Sequence, residues 1–239
     1  MERVTITRRA LFSRLIAGLA AGLAFRPDYV AGAPAQTSPV ENWTSQPLNS
    51  HGVPRGGWRP YETPGGHAAY DFTVIEDAGR RALHMRSHGD HSTIARRVSV
   101  DLTATPILEW SWKLVQLPER ADLRRWETSD AAPHVFVVWR RRPELIRSRL
   151  IGYVWDPALP VGTIQKSQKT GTVTFIVVRS TTERLGHWLT ERRNVAADFR
   201  SVYGEDAESP SAVALSIDTN DTKSKSEGLI GEIVFRNNG

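Results

Sequence analysis

The 239-residue chain contains no cysteine. That excludes disulfides, thiol nucleophiles, cysteine-ligated zinc and lipidation of an N-terminal cysteine. Stability must therefore come from an apolar core or a bound ion. Long apolar runs are also lacking. The extended one, Leu15–Phe25, is diluted by Gly18 and Gly22. At about 1.5 Å per residue it is too short to cross a bilayer core of about 30 Å as a helix. The familiar catalytic signatures G-x-S-x-G, H-E-x-x-H, G-x-x-x-x-G-K-[ST] and G-x-G-x-x-G are missing too.

Concentrated positive charge is scarcer than the formal +5 implies. Arg3, Arg8, Arg9, Arg14 and Arg26 stand against only Glu2 and Asp28 in the first 35 residues. The remainder is close to neutral, which argues against nucleic acid as a partner, because phosphate binding needs a concentrated basic face.

What is present begins with an address. Thr7-Arg8-Arg9-Ala10-Leu11-Phe12-Ser13 precedes the apolar run, and small residues follow at Ala31-Gly32-Ala33 and Ala33-Pro34-Ala35. The pattern resembles a bacterial twin-arginine export signal. The expectation is a signal peptide over residues 1–33, an exported protein, periplasmic or extracellular, and no transmembrane anchor after cleavage. Residues 34–55, rich in Pro, Ser, Asn and Gln, read as a linker. A single domain follows over residues 56–239.

Within that domain, short apolar runs alternate with turn signals. Ten candidate strands emerge: 70–75, 82–87, 93–100, 107–114, 134–139, 150–155, 172–178, 187–193, 212–217 and 229–235. Their β-branched and aromatic content predicts an all-β, jelly-roll type sandwich. Period-2 alternation places Leu108, Trp110, Trp112 and Leu114 on one face. The segment from Val135 to Trp139 is apolar on both faces, which predicts a central strand. Beyond Val213, Leu215 and Ile217, Asp218 falls on the opposite face, with Ala214 and Ser216. One short helix is expected near the C-terminal third, capped by Asn194, striped by Val195, Phe199 and Val202, and closed by Gly204. A weaker helical turn is expected at 121–126.

Several phrases occur in a characteristic order: Leu108-Glu109-Trp110-Ser111-Trp112-Lys113, Ser129-Asp130-Ala131-Ala132, Tyr153-Val154-Trp155, Leu185-Gly186-His187-Trp188-Leu189-Thr190-Glu191-Arg192-Arg193, and Ile217-Asp218-Thr219-Asn220-Asp221-Thr222. Together, over about residues 56–236, they resemble the bacterial domain-of-unknown-function family 3047. The resemblance implies an exported protein without an assigned activity and an architecture like the galactose-binding jelly rolls. The chain departs from the family pattern in its strongly basic Arg140–Arg149 loop and in the order of Asn220 and Asp221.

Four sets of residues carry possible chemistry. Asp218, Asn220 and Asp221 invite a calcium loop, but the EF-hand template fails at its glycine position, Lys223, and at its glutamate position, Leu229. Turn chemistry is the preferred reading; no metal site or cofactor is assigned, and a structural calcium is possible but not favoured. His88-Gly89-Asp90-His91 reads as a two-residue hairpin tip. The Arg140–Arg149 loop offers a surface for an anionic partner. The binding candidates are Tyr153, Trp155, Asp156, Arg179, Trp188, Glu191, Arg193 and Asp218, because aromatic rings beside charged groups suit sugars. The function read from these features is a non-catalytic module for a glycan or cell-envelope polymer. The alternatives are a hydrolase or lyase on an envelope polysaccharide, drawing on Glu109, Asp130, Glu191 or Asp218, and a structural assembly partner.

Overall fold

The computed structural model describes residues 36–61 and 68–238. The expected signal peptide lies outside the described residues. Residues 35–239 belong to one compact unit.

Among the described residues, thirteen strands and two short helices follow in chain order. The strands are β1 (Thr37–Glu41), β2 (Trp58–Pro60), β3 (Asp71–Asp77), β4 (Arg80–His88), β5 (His91–Arg97), β6 (Ile107–Gln116), β7 (Ala131–Trp139), β8 (Arg149–Trp155), β9 (Ile164–Lys166), β10 (Val173–Arg179), β11 (Leu189–Asn194), β12 (Ala212–Asp218) and β13 (Lys225–Arg236). Helix α1 (Glu144–Arg147) lies between β7 and β8, and α2 (Val195–Tyr203) follows β11.

The strands form an all-β, jelly-roll type sandwich of two sheets. One runs β11-β6-β13-β4-β3 with β1 beside β13; the other runs β2-β5-β12-β7-β8-β10-β9. Every pairing is antiparallel except β8 with β10. Each of the ten expected strands overlaps an observed one.

The alternation in β6 does what its pattern requires. Leu108, Trp110, Trp112 and Leu114 are fully buried between the sheets. Trp110 stacks on Tyr153 of β8 at 5.3 Å, and Trp112 meets Trp155 at 6.0 Å. β7 is central, flanked by β12 and β8, and all nine of its residues are buried. Helix α2 is capped as its sequence requires. Asn194 Oδ1 accepts from Ala197 N at 2.9 Å, and Gly204 closes the helix at φ 73°. The turn expected at 121–126 is instead a 3-10 turn at Trp126–Thr128.

Two expectations are corrected. Of the expected linker over residues 34–55, the described part, residues 36–55, is built into the domain. β1 pairs with β13, and Trp43 is fully buried and stacks on Trp58 at 5.7 Å. Polar composition concealed a strand whose partner is almost two hundred residues away. Nor is Gly89-Asp90 a hairpin tip. β4 belongs to the smaller sheet and β5 to the larger, so the turn carries the chain between layers. His88 stands opposite Lys225, whereas His91 stands opposite Asp218. The segment after Asp218 also changes sheets. Thr219, fully buried, ties the two crossings together: its Oγ1 meets Ser87 Oγ at 2.7 Å and accepts from Gly89 N at 2.8 Å.

Candidate functional site

Most of the aromatic and charged set expected to bind is structural. Tyr153 is buried between the sheets and donates its hydroxyl to Asp198 at 2.9 Å. Arg193 donates from Nε to the same carboxylate at 3.0 Å. Trp155 is buried, with Nε1 on Thr181 O at 2.7 Å. Tyr153 and Trp155 do share a face, but it is the core face. Asp156 is buried and accepts from Ala158 N, Leu159 N and Leu123 N, which fixes the loop after β8.

Arg179 and Glu191 form an ion pair at 2.7 Å, and Glu191 also accepts from Trp112 Nε1. The Arg179–Glu191 pair joins β10 of the larger sheet to β11 of the smaller, and the Trp112 bond ties β11 to β6 within the smaller sheet. Trp188 is half-buried across Gly231; a Cβ there would stand 3.2 Å from the Trp188 ring and 2.3 Å from Ser111 Oγ. Its Nε1 donates to Asp77 at 2.7 Å. Of the eight expected site residues, Asp218 lines a sizeable cavity.

That cavity is a groove of ≈ 470 Å³ on the outer face of the larger sheet. Its size suits a small ligand or a short polymer segment, since ligand clefts run from about 300 to 1,000 Å³. The floor is built by register. Phe136 of β7 and Phe175 of β10 both pair with Gly152 of β8, which lies between them. A Cβ at Gly152 would stand 2.6 Å from Phe136 and 2.9 Å from Phe175. Only glycine lets the two rings lean together over the middle strand, with centroids 5.9 Å apart. His134 packs edge-on against Phe136 at 4.8 Å.

One wall is polar. It comes from alternate residues of β5 and β12, namely Thr93, Ser216 and Asp218, with His91 and Asn220 beside them. Thr93 and Ser216 bond to each other at 2.7 Å. Asp218 Oδ1 accepts from Asn220 N at 3.1 Å, while Asn220 Oδ1 is buried and has no hydrogen-bond donor among the described residues. Lys169, paired with Asp221, also lines the groove, as do Tyr61 and Leu145.

The electrostatics of this wall are unusual. Burial raises the Asp218 carboxyl to about 7, and nearby Asp130 and Asp221 reinforce the shift against the Asn220 N–H and Lys169. Burial lowers the His134 imidazole to about 4, with His91 contributing in the same direction. His134 Nδ1 lies 2.8 Å from Ala132 O, so it carries the proton and leaves Nε2 as an acceptor. At neutral pH the wall is therefore rich in hydrogen-bond acceptors.

Asp130 does not face this chemistry. It is buried and accepts from Asp221 N at 3.0 Å, Thr222 N at 2.8 Å and Thr222 Oγ1 at 2.6 Å. It anchors the loop that carries Asn220. No group of three or more metal-ligating side chains occurs among the described residues.

The parity of β12 identified Asp218, and it also placed Ala214 and Ser216 on the same face. Phe136, Phe175 and His134 were missed. Their outward positions lie on strands apolar on both faces, where alternation carries no contrast.

Fold and groove together define the class: a jelly-roll type β-sandwich with a ligand-sized groove on the outer face of its larger sheet. The family model of proteins of unknown function DUF3047 matches residues 56–234, and the chain belongs to that family. No curated protein matches the sequence.

Among solved structures, similarity is found to a family 29 carbohydrate-binding module from Piromyces equi. It is 9% identical over 86% of this chain and 93% of that one, with a TM-score of 0.36. The xyloglucanase domain of NopAA, a type three effector from Sinorhizobium fredii, is 9% identical over 84% of this chain and 98% of its own, with a TM-score of 0.39. Likeness this loose transfers neither a ligand nor a catalytic residue.

Proposed function

We propose that the protein is a non-catalytic, exported module that binds a glycan or cell-envelope polymer in the groove over Phe136 and Phe175. The observation that carries the reading is the pairing of an aromatic floor with an acceptor-rich wall. A sugar ring offers apolar CH groups on a face and hydroxyl donors around its edge. Phe136 and Phe175 suit the first, and Asp218, Asn220 Oδ1 and His134 Nε2 suit the second. Export rests on the twin-arginine sequence at Arg8-Arg9.

The test is saturable binding of residues 35–239 to a panel of neutral and acidic polysaccharides. Phe136→Ala is expected to weaken binding about tenfold or more, as truncating a central aromatic anchor typically does. Asp218→Asn, which preserves shape, is expected to weaken it with the fold intact. Gly152→Ala is expected to push both rings into the groove and weaken it as well. Absence of saturable binding across the panel, or binding indifferent to all three substitutions, would refute the proposal.

One observation favours hydrolysis as a second reading. Asp218 is a carboxyl that holds its proton near neutral pH in an open groove, as a general acid must. A glycosidase also needs a second free carboxylate across the cleft. Asp130 is occupied by three donors, and Asp221 is paired with Lys169. On this reading, incubation with a bound polysaccharide releases reducing ends, and Asp218→Asn abolishes the release. Binding without such release leaves the non-catalytic reading.

A further inference from the structure

A second surface lies beside the groove, at the α1 turn, where Leu145 borders both. Leu145 and Ile146 are adjacent there, and each is 78% exposed, the highest among the large apolar residues described. Basic residues surround them. Arg141 and Arg149 are held by Glu205, and Arg149 lies over the Tyr203 ring at 4.4 Å. Arg140, Arg142, Arg147 and Lys166 form no ion pair among the described residues; Arg147 reaches only the Arg142 carbonyl. Arg147, Arg149 and Lys166 line a depression of ≈ 470 Å³ with Thr174 and Tyr203.

We infer that this surface docks on an anionic phospholipid membrane. A polyanionic glycan would satisfy the arginines, but it would leave two neighbouring aliphatic side chains in water. A lipid surface satisfies both. Leu145 and Ile146 enter the boundary between headgroups and acyl chains, while guanidinium groups meet lipid phosphates. The depression holding Arg147 and Lys166 is large enough for one phosphate headgroup. The surface shares Leu145 with the groove lining, but no aromatic residue of the groove floor takes part, and the Arg142 and Arg147 substitutions test it apart from the glycan reading.

Co-sedimentation with vesicles tests it, using residues 35–239 so that the apolar run Leu15–Phe25 makes no contribution. Binding is expected on phosphatidylcholine vesicles containing phosphatidylglycerol and not on phosphatidylcholine alone, and it should weaken as salt rises. Replacing Arg142 or Arg147 by Gln should weaken it about fivefold each, the worth of one basic residue near an anionic surface. The pair Leu145→Ser and Ile146→Ser should weaken it at least about tenfold, and neither change disturbs the core. Failure to bind anionic vesicles, equal binding to neutral ones, or full binding by the Leu145→Ser, Ile146→Ser variant would overturn the inference. The last result would identify a purely electrostatic surface for a polyanion or an acidic protein.

Discussion

Asp218→Asn is expected to stabilise the protein at pH 7 to 8 and to expose an acid sensitivity that the native chain conceals. The sign follows from where the proton sits. Asp218 titrates near 7 in the fold and near 3.8 when unfolded. Between those values the native state holds a proton that the unfolded state has released, so stability falls as pH rises. At about 1.36 kcal/mol per unit the full loss approaches ~4 kcal/mol, and water on the groove side reduces it to about 2–4 kcal/mol.

His134 works in the opposite direction. It titrates near 4 in the fold and near 6.5 when unfolded, so stability falls as pH drops through that window, by about 3 kcal/mol. From about pH 4 to 6.5 the two slopes nearly cancel. Removing the carboxyl leaves the histidine slope alone, so Asp218→Asn should lose stability steeply on acidification. His134→Asn, which retains a donor for the Ala132 carbonyl, should instead be most stable in acid and weaken towards neutrality. Urea unfolding between pH 4 and 8 measures both. Parallel curves for wild type and Asp218→Asn would show that Asp218 ionises as an ordinary surface acid.

The same two residues mark how far the sequence could be read. Asp218 was identifiable because Val213, Leu215 and Ile217 form an alternating strand whose other face is small and polar, so parity assigned its side. His134 and Phe136 stand on β7, where both faces are apolar, and parity could identify only a central strand. The groove floor needed more than parity. Phe136 and Phe175 meet only because β8 places Gly152 between them, and because β10 runs parallel to β8 after a long crossover. Pairings at that sequence distance leave no local signature.

The core was legible for the complementary reason. Trp110 and Trp112 alternate with Ser111 and Lys113, and burial of one face is a local property of a strand. The helix after Asn194 was legible through its caps. The sheet crossings were not: Gly89-Asp90 and the Asp218–Asp221 segment use the turn residues of hairpins, and turn chemistry does not state whether the flanking strands pair or part. Tyr153, Trp155 and Glu191 were grouped as a binding surface because aromatic and charged residues also make structural links, as Tyr153 with Asp198, Trp112 with Glu191 and, between the sheets, Arg179 with Glu191 do here.

Glu41→Ala is expected to destabilise the protein more than any substitution in the groove. Glu41 lies in β1, on the smaller sheet, and its carboxylate is buried. One oxygen accepts from Asn42 N at 3.0 Å and Trp43 N at 2.8 Å. The other accepts from Trp58 Nε1 at 3.0 Å and Arg96 at 2.7 Å, both on strands of the larger sheet. The residue therefore ties the two layers together. Truncating it strands an indole N–H, two backbone N–H groups and a partly buried guanidinium at once. Breaking such a pair typically costs about 3–5 kcal/mol, a large share of the ~5–15 kcal/mol that holds a domain folded. Glu41→Gln keeps one acceptor oxygen and should cost less. The argument extends to the whole segment. A chain begun at Gly56, where the family match starts, would lack Glu41 and Trp43 and leave the β1-binding edge of β13 bare. Truncating a buried Trp alone costs about 3–5 kcal/mol, so the combined loss should abolish cooperative unfolding in urea and near-ultraviolet circular dichroism. A chain starting at Gly56 with an unchanged urea midpoint would instead make residues 36–55 a dispensable arm.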